Sequence, residues 1–103
     1  MPTFLVTYQG GGPPPADPEA RQQMMSAFQA WATGVGSNMV DPGAPLGAAK
    51  TVTSDGVSDG ASGAPGGYTL LTADSLDDAV GLVQNHPFVA RGGTLIVSQS
   101  VAP

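Results

Sequence analysis

The chain has no cysteine, and its only histidine is His86. Without thiols there is neither a disulfide framework nor a thiolate metal site, and one imidazole does not make a His-rich centre. No metal and no cofactor are therefore expected. Basic residues are nearly as scarce: Arg21, Lys50 and Arg91 stand against 8 acidic residues, for a net charge of -5. Phosphate backbones are held by clustered Lys and Arg, so nucleic acid is not an expected partner. Long apolar runs are missing too. None approaches the roughly 20 residues that span a bilayer. The opening MPTFLVTYQ lacks the basic region and longer apolar stretch of a secretory signal. These absences predict a cytoplasmic protein with no membrane partner. Charged residues make up only 11% of the chain, against about a quarter in an ordinary domain.

Glycine and proline, by contrast, are abundant, at 15 and 10 residues. They gather in three loops and spare the periodic segments, which argues against disorder. The 103 residues fit one domain, 1–103, with one core.

Thr3 to Gln9 alternates, with Phe4, Val6 and Tyr8 on one face and Leu5 and Thr7 on the other, and reads as a first strand. GGGPPP, Gly10 to Pro15, reads as a stiff surface loop. Asp17-Pro18-Glu19 is a helix start: a capping carboxylate, proline at the first helical position, an acid in the first turn. Met24, Phe28, Trp31 and Val35 then recur on one helical face, and Gly34 or Gly36 ends the helix. Such a stripe is read first as core, and second as the wall of a ligand pocket. Ser37 to Val40 is a short extended piece before the turn Asp41-Pro42-Gly43. Gly47 to Thr53 is a second strand candidate. The Ser54 to Gly67 loop, with its two Asp-Gly steps, would make the second and third strands antiparallel neighbours.

Gly66 to Val97 is the most informative stretch. Tyr68 to Ala73 is a strand apolar on both faces. Ser75 and Asp78 have capping-box spacing, and Asp77 and Asp78 suit a helix N-terminus. Leu76, Ala79, Val80 and Val83 form one stripe. Pro87 stops that helix, and Gly92-Gly93 turns the chain into the β-branched segment Thr94 to Val101. The order β, α, β, β, α, β is that of an α+β, ferredoxin-like βαββαβ sandwich.

The segments GSNMVDPGAPLG, SDGVSDG and GGYTLLTADSLDDAV…HPFVARGGTLIV resemble the YCII-related family, including its DGPF-type branch, over about two thirds of the chain. The resemblance implies a dimeric α/β-barrel arrangement in which two sheets pack together. Strands apolar on both faces agree with a homodimer, since helices cover only one face. The sequence departs from the family at two places. The histidine that some members carry in the first helix falls near Met25, which cannot transfer a proton. Asp59-Gly60 is followed by Ala61 and Ser62, not by Pro and Phe.

Three functions follow from these features. In the first, a small organic molecule binds between sheet and helix near Trp31, Tyr68, Tyr8 and Phe88, in a charge-poor interior of the kind that lines ligand pockets. In the second, a lyase- or isomerase-type enzyme uses His86 as the proton carrier, with Asp41 or Asp74 to orient it. The competing reading makes His86 a helix C-cap whose charge the dipole favours. In the third, the dimer is purely structural or binds a partner. Asp55 and Asp59 lack the further ligands of a calcium loop and read as turn residues.

Overall fold

The computed structural model describes residues 1–10 and 15–101; most of the GGGPPP loop lies outside them. Strand β1 (Thr3–Gly10) leads to helix α1 (Pro18–Val35), a single 3₁₀ turn (Gly36–Asn38) and strand β2 (Met39–Asp41). Strands β3 (Lys50–Thr53) and β4 (Gly56–Asp59) precede β5 (Gly67–Thr72), helices α2 (Leu76–Val83) and α3 (Pro87–Ala90), and β6 (Gly93–Gln99). Four strands form one antiparallel sheet in the order β2-β5-β1-β6. This is the ferredoxin-like α+β architecture anticipated from the sequence.

The helices form where the local chemistry asks for them. Asp17 accepts a hydrogen bond from the Glu19 amide at the start of α1, and Pro18 occupies its first turn. Gly36 ends α1 at φ 67°, a conformation that suits glycine. Ser75 Oγ accepts from the Asp78 amide at 3.1 Å and opens α2.

One face of the sheet is buried. Phe4 and Val6 of β1 and Leu71 of β5 have no exposed surface, and they pack with Ala73, Trp31 and Val35 of α1, and Ala79 and Val83 of α2. Each large apolar side chain withdrawn in this way contributes roughly 1.5–3 kcal/mol. The α2 stripe is narrower than its spacing predicts: Ala79 and Val83 are buried, while Leu76 and Val80 stay exposed. Trp31 also ties the helices together, donating from Nε1 to the Leu82 carbonyl at 2.9 Å.

The opposite sheet face is open. Leu5 sits in register with Leu70, and Thr7 with both Tyr68 and Ile96; Leu5 and Ile96 are 38% and 45% exposed.

The expected pairing of the second strand candidate with the third is corrected. The strands beside β5 are β1 and β2, and the sequence marked β2 only as a short extended piece. The predicted strand ending at Thr53 instead pairs with β4 as a separate two-stranded ribbon turned at Asp55-Gly56, with Val52 facing Val57. The Asp-Gly hairpin signal was genuine but local: it closed a ribbon, not the main sheet.

Candidate functional site

At the end of the sheet where Tyr8 pairs with Gly67, α1, α3 and the Pro42–Pro45 turn surround a cleft of about 330 Å³. Tyr8, Met25, Phe28, His86, Phe88 and Arg91 contribute to its walls.

His86 occupies a tight corner. It is 3% exposed, and its ring is surrounded by Trp31, Tyr8 and Phe28 at centroid distances of 4.2, 5.0 and 5.5 Å. It caps the start of α3, not the end of α2: Nδ1 accepts the Phe88 amide at 3.0 Å. The C-cap reading fails because Pro87, which stops α2, also presets φ for the next short helix.

That one bond orients a whole chain of others. With Nδ1 an acceptor, the neutral ring carries its proton on Nε2. Nε2–H then donates to Tyr8 Oη at 2.9 Å. Tyr8 donates in turn to Thr69 Oγ1 at 2.7 Å, and Thr69 donates to the Pro42 carbonyl at 3.0 Å. Every member is satisfied, and the chain ends on an acceptor that cannot pass a proton further. Burial pushes the His86 pKa down from 6.5 to about 4. A second proton at Nδ1 would also face the Phe88 N–H, so both effects keep the ring neutral. Burial likewise raises the Tyr8 pKa, opposed by its bond to Thr69.

The other sequence candidates are scattered around this corner. Tyr8 and Phe88 stand edge to face at 5.2 Å. Tyr68 lines the cleft near the start of β5, while strand alternation places its ring on the open face with Leu70. Trp31 is outside the cleft wall and backs the His86 ring. Asp41 bonds the Gly43 amide at 2.8 Å, and Asp74 is exposed beyond the far end of β5. Among the described residues, the hydrogen-bond partners of the His86 ring are Tyr8 and Phe88, and neither carboxylate is among them. Thr69 and the Pro42 carbonyl were missed by the sequence reading. A threonine alternating inward between Gly67 and Leu71 was the available signal. Met25 lines the cleft.

Two glycines shape the walls. A Cβ on Gly43, at φ 77°, would lie 1.7 Å from the Tyr68 carbonyl oxygen. One on Gly93 would lie 2.2 Å from the Phe88 ring. No group of residues able to hold a metal ion occurs among the described residues, and no described helix is long and apolar enough to cross a membrane.

A four-stranded antiparallel sheet with helices on one face and an aromatic cleft at one end defines the class as ferredoxin-like α+β. Among solved structures, the chain is similar to the 5-chloro-2-hydroxyhydroquinone dehydrochlorinase TftG of Burkholderia phenoliruptrix in complex with 2,5-dihydroxybenzoquinone. The two share 19% identity over 100% of this chain and 96% of that one, with a TM-score of 0.58, a likeness of fold. No family model matches the chain, and no curated protein matches it significantly.

Proposed function

We propose that the protein binds a small organic molecule in the cleft between sheet and helix, with Tyr8, Phe88 and His86 against the ligand. The cleft itself carries this reading: about 330 Å³, walled by aromatic and aliphatic side chains, with its buried polar groups already paired. Cavities of this size and lining suit small ligands. That TftG holds a dihydroxybenzoquinone supports a planar, oxygen-bearing ring as occupant. Within this reading the chain is a cytoplasmic member of the YCII-related family and a homodimer, its open face of Leu5, Leu70 and Ile96 covered by a second copy. Thermal unfolding in the presence of a panel of quinones, phenols and benzoates tests the ligand. A rise in midpoint with one chemical group supports the reading, and no shift across the panel removes it. Analytical ultracentrifugation tests the dimer, which a monomer at micromolar concentration would refute.

A second reading is an acid/base enzyme of lyase or isomerase type, supported by the dehydrochlorinase activity named for TftG. His86 would carry the proton, which requires Nδ1 to give up the Phe88 amide that it accepts in this structure. Its contact is Tyr8, so the carboxylates Asp41 and Asp74 would enter only after a rearrangement. Turnover of a substituted hydroquinone that disappears in His86→Gln would support this reading.

A further inference from the structure

The hydrogen-bond donors of the cleft wall narrow the class of ligand. Pro42, Pro45 and Pro87 line the cleft and have no N–H to offer. The amides beside them are already given: Gly43 N–H to Asp41 Oδ1 at 2.8 Å, Tyr68 N–H to the Ala44 carbonyl at 3.4 Å, and Phe88 N–H to His86 Nδ1 at 3.0 Å. Deeper in, His86 Nε2 donates to Tyr8, and Tyr8 donates to Thr69. Among the described residues, no buried side-chain nitrogen or oxygen lacks a partner.

Charge is committed in the same way. Arg91 is the charged side chain among the described lining residues. Its guanidinium lies 5.4 Å from the Phe88 ring centroid and contacts Met24 Sδ on α1, so it is engaged within the protein. Among the described residues, none of the 8 acids lines the cleft. What the wall presents to a guest is carbon and sulfur: the Tyr8, Phe28 and Phe88 rings and the Met24 and Met25 thioethers, whose flexible chains adapt to a ring placed against them. Gln29 is exposed on the same wall, so a polar substituent is best met toward solvent. An ion drawn deeper would shed water and find no partner.

Building on the reading of the cleft as a ligand site, we propose that its occupant is an uncharged aromatic molecule of about two rings, held by ring and thioether contacts, with any polar group at the mouth. The size follows from the volume. A dry apolar cavity of roughly 150 Å³ accepts benzene, and this cleft has about 330 Å³.

The test uses the full chain and the probes naphthol, naphthoate, naphthylmethylammonium and phenol, titrated by calorimetry at neutral pH, where naphthol and phenol are uncharged and the other two are ions. Naphthol is expected to bind roughly tenfold more tightly than either ion, because an unpaired charge costs more to dehydrate than a hydroxyl. It should also bind roughly tenfold more tightly than phenol, through the apolar area of the second ring. Met25 is exposed, so Met25→Lys should fold; it brings a cation into the wall and should shrink the naphthol-to-naphthoate ratio severalfold. Either ion binding as tightly as naphthol, or a ratio unmoved by Met25→Lys, overturns the uncharged class alone. Phenol binding as tightly as naphthol overturns the two-ring size. No binding of any probe overturns both this inference and the ligand-site reading beneath it.

Discussion

Acidification should destabilise this protein through one side chain. The His86 pKa is 6.5 unfolded and about 4 folded. A depressed pKa means the unfolded chain binds the proton more readily, so the contribution is present in full above the unfolded value and is lost as pH falls from 6.5 through 4. With these two values the loss is about 2 kcal/mol by pH 5, and ~3 kcal/mol once both states are protonated. Small domains have only about 5–15 kcal/mol in total, so the effect should be plain in urea unfolding at pH 7, 6 and 5. Carboxylates also titrate as pH falls, and His86→Gln, which cannot, supplies the baseline. The wild type should lose about 2 kcal/mol more than the variant over that range. Because His86 is the only histidine, its Cε1 proton is a single NMR resonance and its pKa can be read directly. A midpoint at or above 6.5, or parallel pH profiles for the two proteins, would refute the buried neutral ring and the donor chain built on it.

Tyr8→Phe removes the hydroxyl between His86 and Thr69 and leaves both half-paired in a buried corner; chemical unfolding should show a loss of about 1–3 kcal/mol. Gly43→Ala adds a Cβ against the Tyr68 carbonyl at a backbone angle that L residues avoid. It should lower the thermal midpoint and weaken any ligand of the cleft, whereas Gly47→Ala, with open space around it, should do neither. Gly93→Ala should push the Phe88 ring from its seat, visible as a changed Tyr8–Phe88 ring-current shift. The β3–β4 ribbon has Val52 and Val57 exposed at 74% and 65%, and two strands alone are marginal in water. Its amides should exchange within seconds in a monomer, and protection of them would show that something covers the ribbon.

The local elements were legible because their causes are local. Asp17-Pro18 and Ser75 begin helices through bonds to amides two or three residues away, and the alternation of β1 is visible in seven letters. The resemblance from Gly66 onward pointed to the same architecture. Less was legible of the pairing. Three residues, Met39–Asp41, carry too little alternation to stand out as a sheet strand, whereas the stronger Asp-Gly signal went to a ribbon outside the sheet.

The sequence by itself determined the starts of the two longer helices, the first and last sheet strands, the ferredoxin-like class, the exclusion of thiolate chemistry and the identity of the one imidazole. Tertiary structure alone decided what that imidazole is. His86, Tyr8, Thr69 and Pro42 lie far apart along the chain, and nothing in their spacing forecasts that they form one line of donors. Only the folded packing of Trp31, Phe28 and Tyr8 around the ring removes water from it. Protonation depends on desolvation and on which atom donates to which nitrogen. Both are properties of three-dimensional neighbours, so a histidine that a helix C-terminal position would have favoured in its charged form is held neutral.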